Sequence, residues 1–355
     1  MDEPVDLSLP PRIVHLLGGL RAVDARDGQV GIQLSLDRRV AQFAAPPFPN
    51  LYSAISSLGL QPIGVEFVHG GSFTGSDPPD WQCASPSNGF QILAEQRAWQ
   101  DIRTAAYSDK KAALADFASR AKSYLSLLPI RIFQLSEAYN RMLRLAGSIK
   151  AEHLFDNVWR PHLEAAVHAY LADAASFRDL IAEGVWRFLL GGDTTVTTLG
   201  SFLKRAKDSP NTLAQDIISA GKPGGWIKIF TDLRNDVIHV APVGRSQALH
   251  FCQAREVQLG SGKILTMHYP LLASDGTIYL ANEAGLDFED EGRVRERIDE
   301  FRTYCESSID GLTYAWETTA RFVELLSSLR RLAGFRQEGT TITDADIIGE
   351  VKITR

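Results

Sequence analysis

The chain predicts a mainly α protein, a helical bundle that carries a β-hairpin insertion and a loop-rich α/β N-terminal region. Three observations lead there. From about residue 97, apolar side chains recur every three and four positions over long stretches, the spacing that gathers them on one helix face. Before that point, apolar runs are short and separated by Gly, Pro and Asp clusters, which read as strands and turns. Late in the chain, two apolar runs flank Gly260-Ser261-Gly262, a hairpin signature within a helical sequence.

Residues 1–96 contain Val30–Leu36 and Ile63–Val68 as candidate strands, broken by Ala45-Pro46-Pro47-Phe48-Pro49 and Gly75-Ser76-Asp77-Pro78-Pro79. The bundle is expected over 97–335, with the β insertion at about 245–282 and a tail over 336–355. Leu125, Leu128, Ile132, Leu135, Tyr139, Met142 and Ala146 stripe a first long helix that stops at Gly147. Pro129 is expected to kink or divide it, because proline lacks a backbone donor and crowds the preceding turn. Pro161 suits the first position of a second long helix, antiparallel to the first and striped by Leu163, Val167, Tyr170, Ala174, Phe177, Ile181 and Phe188.

Shorter helices are expected over 195–207 and 210–220, the latter capped by Ser209 with Pro210 in its first turn. A helix over 225–240 ends close to His239, since Pro242 disfavours helical geometry at Ala241. Ala248–Val257 and Lys263–Tyr269 form the hairpin, with a further strand at Thr277–Leu280. A last helix runs over about 293–333 with Ile298, Phe301, Cys305, Ile309, Leu312, Trp316, Val323 and Leu326 on its buried face.

At 355 residues, two domains or one domain with substantial additions are expected. The 45% hydrophobic and 23% charged residues suit an ordinary water-soluble protein. Apolar runs are only a handful of residues long, and Met1-Asp2-Glu3-Pro4 is acidic. Neither a signal peptide nor a membrane span is therefore expected, which favours a cytoplasmic location. Cys83, Cys252 and Cys305 are far apart, odd in number and without C-x-x-C spacing, so they read as small buried hydrophobes. The net charge of -6 argues against a surface coated for nucleic acid, yet 109–150 carries eight Lys/Arg against three acids, and 282–300 reverses that balance. The basic stretch reads as a solvated helix face or as a local groove that attracts phosphate.

The most informative segment is Leu233-Arg234-Asn235-Asp236-Val237-Ile238-His239-Val240. Arginine is always charged and forks onto phosphate, while histidine titrates near physiological pH. Spacing alone carries little, because about two Arg-x4-6-His matches are expected by chance in a chain of this composition. The second match, Arg245 to His250, follows Pro242 and Gly244 and enters a predicted strand. The first has polar Asn235 and Asp236 after the arginine, and Ile229, Leu233, Val237 and Ile238 give its helix an apolar side. On an ideal helix Asn235 and His239 share a face.

Arg234-Asn235-Asp236-Val237-Ile238-His239, late in a bundle and before a final helix, resembles the HEPN superfamily of helical-bundle proteins. The resemblance covers about 100–335. It implies metal-independent RNA cleavage in a homodimer whose motif helices face each other across a cleft, with no cofactor. Carried onto this chain, Arg234 and His239 are the catalytic pair, and Asn235 and Asp236 orient them or contact substrate. Arg120, Lys122, Arg141 and Arg144 in the basic stretch are candidate RNA-backbone contacts. A catalytically silent RNA- or nucleotide-binding module, or a scaffold for a partner in a toxin–antitoxin or antiviral defence assembly, is the alternative. In the bland reading His239 caps its helix and Arg234 pairs with Asp232 or Asp236.

Other motifs are weak. Gly260-Ser261-Gly262-Lys263 and Gly221-Lys222-Pro223-Gly224-Gly225 lack the pattern of a phosphate loop and read as turns. His153, His162 and His168 form no H-E-x-x-H, so no metal is expected. Trp159, His162 and Tyr170 read as core or helix-surface residues rather than a base-stacking platform.

Overall fold

In a computed structural model of the chain, the residues described are 12–24, 28–35, 38–45, 48–67, 80–86, 91–146, 149–240, 251–259, 262–273, 276 and 290–338, with the backbone alone for 34, 35, 38–41, 48, 49, 239 and 240. The predicted Thr277–Leu280 strand, the Gly147 stop and the second motif match, Arg245 to His250, lie outside them.

The N-terminal region is more regular than its loop-rich sequence predicts. β1 (Arg12–Leu16), β2 (Arg21–Asp24), β3 (Gln29–Ser35), β4 (Arg38–Ala44), helix α1 (Phe48–Ser56), β5 (Pro62–Phe67) and β6 (Asp80–Cys83) follow in order. The strands form one antiparallel sheet in the order β4-β3-β2-β1-β5-β6. Long-range pairing, with His15 opposite both Arg21 and Gly64, supplies the backbone partners that isolated short strands lack. Gly18 and Gly19 turn β1 into β2 at φ 76° and 85°. A Cβ on Gly18 would lie 2.6 Å from Thr266 Cβ, and one on Gly19 would lie 3.0 Å from the Tyr139 backbone. The turn therefore needs glycine for space as well as for its left-handed backbone.

α2 (Gln91–Ser108) starts the helical part, followed by α3 (Ala112–Leu145) and, after the short strand β7 (Leu154–Phe155), α4 (Arg160–Phe188). Pro129 lies inside α3 and does not divide it, which rules out the second of the two expected outcomes. The carbonyl that proline leaves unpaired one turn back belongs to Leu125, and Gln96 Nε2 donates to it at 2.6 Å. A side chain from α2 thus replaces the missing backbone donor. α3 and α4 are antiparallel, with Arg120 on Glu183 at one end and Arg131 on Asp173 further along. The predicted stripes are buried from Leu125 to Met142 and from Leu163 to Ile181.

α5 (Leu199–Arg205), α6 (Thr212–Ala220) and α7 (Trp226–Asn235) come next, and α7 runs into a π turn at Asp236–Val240. Asn211, not Ser209, caps α6, accepting from Ala214 N. The insertion is β8 (Cys252–Leu259), β9 (Gly262–His268) and β10 (Pro270–Ala273). β8 and β9 form the predicted hairpin, and β7 pairs with β8 on its other side.

The expected helix over 293–333 is two: α8 (Glu291–Ser307) and α9 (Gly311–Ala333), separated by β11 (Ser308–Asp310). The insertion causes the break. β10 pairs with β11, Pro270 opposite Asp310 and Ala273 opposite Ser308, which draws three residues out of the helix before Asp310 caps α9 through Thr313 N. The apolar period continues across the interruption, so the sequence pattern conceals it.

The described chain is mainly helical, and one continuous apolar core runs from Val14 and Ile32 in the sheet through Ile132 and Tyr139 to Leu171 and Phe322. Among the described residues no helix is long and apolar enough to cross a membrane. Where α4 meets side chains of α3 and α9, a Cβ on Gly184 would sit 2.4 Å from Phe117 Cζ and 2.7 Å from Leu329 Cδ2. Gly184→Ala is expected to cost about 1–2 kcal/mol in urea unfolding, because overpacking outweighs the gain in helix propensity. An unchanged urea midpoint would show that Phe117 can step aside.

Candidate functional site

The motif helix α7 is held by its apolar side. Ile227, Phe230, Leu233 and, in the π turn, Val237 are buried; their spacing of three, three and four makes one stripe. Phe230 meets Phe322 of α9 edge-on at 5.3 Å, and Arg178 of α4 lies over Phe230 while donating to Thr231 Oγ1 at 2.8 Å. Polar residues take the other side. Lys228 pairs with Asp232 at 2.5 Å, so Asp232 already has a cation in its own turn. Arg234 Nη1 donates to Asn235 Oδ1 at 3.1 Å. Asn235 is exposed, and Arg234 and Asp236 are half-buried.

The α-helix ends at Asn235, and position 239 belongs to the π turn; the His239 side chain lies outside the described residues. On an α-helix positions 234 and 239 would be about 140° apart. A turn closed by i to i+5 bonds narrows that angle, and single π turns inside helices concentrate at functional sites.

The four candidate backbone contacts do not form one groove. Arg120 and Arg141 are both on α3, about 32 Å apart by helix rise. Arg120 forks onto Glu183 with two 2.8 Å bonds and reaches Asp116 at 2.9 Å. Lys122 Nζ donates to Gln100 Oε1 at 2.9 Å. Arg120, and likewise Arg131 on Asp173, is thus matched by an acid distant in sequence, which local charge counting cannot reveal. Arg141 and Arg144 differ: both are exposed, and Arg141 meets Glu137 only at 3.8 Å.

Arg141 borders an open groove of ≈ 400 Å³ between α3 and α4, walled by Phe133, Trp159 and His162 and floored by Ala165, Ala166 and Ala169. Its guanidinium lies 4.7 Å over the Trp159 ring, and the His162 ring is 4.7 Å from Trp159. Trp159 is fixed through its neighbour: Asn157 Nδ2 donates to Met142 O at 2.9 Å, and Asn157 Oδ1 accepts from Trp159 N at 3.0 Å. Tyr170 is core, its hydroxyl donating to Ala315 O at 2.8 Å.

Two buried polar clusters resemble catalytic sets. Ligand atoms of His15, Glu66 and Glu137 lie within 4.8 Å of one another. A guanidinium already serves these carboxylates, because Arg21 pairs with Glu137. His15 Nδ1 is 2.9 Å from Ser136 Oγ and Nε2 is 3.4 Å from Glu66 Oε2, so a neutral ring accepts from the serine and donates to the glutamate. In the second cluster, His268 Nε2 is 2.8 Å from Ser308 Oγ, but Nδ1 is 3.9 Å from Asp310 Oδ1. Ser308 donates to Cys305 O at 3.0 Å, so its hydroxyl proton is not offered to the histidine. The first cluster has the serine, histidine and carboxylate order of an activated nucleophile, but Ser136 and His15 are buried away from any substrate; the second lacks the serine proton on its histidine. Cys83, Cys252 and Cys305 are buried free thiols, and burial pushes all three up.

Burial brings His15 down to about 4 against its bond to Glu66, and brings His268 down to about 4. A folded value below the unfolded 6.5 means that the unfolded chain binds more protons between those limits. This stability is complete above pH 6.5 and is lost as pH falls towards 4, at most about 3 kcal/mol per histidine. The thermal midpoint is expected to drop across that window, and to drop less steeply in His268→Gln. Parallel curves would mean that folded His268 is protonated.

No family model, curated protein or solved structure matches the chain.

Proposed function

We propose that this chain is a metal-independent endoribonuclease of the HEPN type, acting as a homodimer, with Arg234 and His239 as the catalytic pair and Asn235 and Asp236 orienting them. One observation carries the reading. The Arg-Asn-Asp-x-x-His sequence closes a helix packed into a bundle by Phe230 and Leu233, and the arginine and histidine positions straddle the passage from α-helix to π turn.

The chemistry follows from these residue types. RNA carries its own nucleophile, the 2′-hydroxyl. Its oxygen bonds to phosphorus as the bond to the 5′-oxygen breaks, leaving a 2′,3′-cyclic phosphate and a 5′-hydroxyl end. The proton leaving the 2′-oxygen goes to one histidine, and a second histidine, supplied by the other subunit, protonates the departing 5′-oxygen. Arg234 stabilises the extra charge on the phosphorane. No step needs a metal-bound water.

The test is a fluorescent RNA incubated with purified protein in EDTA. Cleavage to 2′,3′-cyclic ends is expected, together with a dimer by sedimentation. RNA left intact at every protein concentration overturns the catalytic reading and leaves an RNA-binding module, which the α3–α4 groove would serve.

A further inference from the structure

We infer that the groove between α3 and α4 holds a single strand of RNA, with phosphates on Arg141 and Arg144 and a base stacked against Trp159 and His162. The inference rests on the proposed function only in naming RNA as the ligand, since the groove lies away from the motif. The motif helix meets α4 near Arg178, sixteen residues and therefore about 24 Å along that helix from His162.

The charges come first. Arg21, Arg141 and Arg144 gather around Glu137: Arg21 pairs with it, Arg141 stands 3.8 Å off, and Arg144 follows one turn later. Among the described residues Arg144 has no ion pair. Glu66 adds a second carboxylate, which acts on Arg21 and is also shared with His15. Three cations thus share two acids, and Arg21 Nε is buried without a hydrogen-bond partner. Burial first, then Arg144 and Arg141, hold the Arg21 guanidinium down at about 10 against the pull of Glu66. A phosphate at the rim would relieve this repulsion, and Arg141 can fork onto it at little cost because Glu137 is already neutralised by Arg21.

The shape agrees. The alanine floor leaves room beside the indole, the Asn157 bonds fix the backbone at Trp159, and the ring is only partly buried against the core. His162 is exposed, so the aromatic pair borders solvent, as a stacking platform must. Arg131, on the same wall, is committed to Asp173 at 2.6 Å and sets one end of the cationic rim. A duplex keeps its bases stacked internally, so a site that combines arginines with an aromatic pair selects single strands.

The experiment uses the full chain with a labelled 2′-O-methyl oligouridylate, which lacks the attacking hydroxyl and so reads binding whether or not the motif cuts. Fluorescence anisotropy is expected to show salt-dependent binding, weakened about tenfold or more in Trp159→Leu and in Arg141→Glu. His162→Ala, at an exposed position outside the core, should weaken it in the same direction, while Lys207→Ala, an exposed change after α5 and outside both the groove and the motif, leaves it within about twofold. Binding equal to wild type in Arg141→Glu and His162→Ala overturns the groove, as does an equal or greater preference for duplex RNA, or no binding at low salt. RNA cut in EDTA by a protein whose groove variants bind normally would sink this inference alone; tight groove-dependent binding without cleavage would sink the catalytic reading alone.

Discussion

Arg234→Ala and His239→Ala are each expected to lower the rate of RNA cleavage by about 10²- to 10⁴-fold, with folding intact. The magnitude is that of losing one positioned proton carrier or one charge-stabilising group. Folding should survive the arginine change because the core side of the helix, Ile227, Phe230 and Leu233, lies on other residues. Arg234→Lys is the informative companion. Lysine keeps the charge but not the planar fork, so it should recover only part of the rate. Asn235→Ala should act more weakly, because Asn235 accepts a single 3.1 Å bond from Arg234. Measured single-turnover rates in EDTA decide the matter: if both alanine variants cut at the wild-type rate, the catalytic assignment falls.

Asp310→Ala is expected to destabilise the fold by about 3–5 kcal/mol, the largest loss from any single polar side chain considered. Its Oδ1 accepts from the Tyr139 hydroxyl at 2.7 Å and from Tyr269 N at 2.9 Å, and its Oδ2 accepts from Thr313 N at 3.0 Å and Thr313 Oγ1 at 3.1 Å. One carboxylate therefore caps α9, anchors the strand after β9 and holds the central helix. Tyr139 and Tyr269 are both fully buried, so water cannot replace the lost acceptor cheaply. The thermal midpoint should fall by about 5–15 °C. Asp290→Ala is the control: it removes a cap of the same chemistry, accepting from Gly292 N at 3.0 Å and Arg293 N at 3.2 Å, at the exposed start of α8, and should cost about 1 kcal/mol. Equal effects in the two variants would show that Asp310 is only a cap.

Some of this was legible locally. The stripes of α3 and α4 needed only the three-four period, and the hairpin needed only its Gly-Ser-Gly turn. The period could not show that Pro129 is spanned, because the replacement donor, Gln96, comes from another helix. Nor could it reveal β11, whose partner β10 lies about forty residues earlier. The caps of α6 and α9 were missed for different reasons. At α6 two polar residues competed within three positions; at α9 a continuous apolar period hid the break.

The candidate site divides in the same way. Arg234 to His239 is a contiguous segment, so its residue types and its place at a helix end could be read directly, while the π turn could not. The basic stretch was misleading as a unit, because Arg120 and Arg131 are matched by Glu183 and Asp173 across the helix pair. Trp159, His162 and Arg141 read as unrelated residues until α3 and α4 paired.

What the sequence by itself determined was periodicity, punctuation and one short polar motif, all properties of neighbouring residues. The tertiary structure decided which charges are neutralised, which helix is interrupted and which aromatic residues share a groove. Those outcomes depend on partners tens or hundreds of positions away, brought together by burial of a common apolar core and by the need of each buried polar group for a partner.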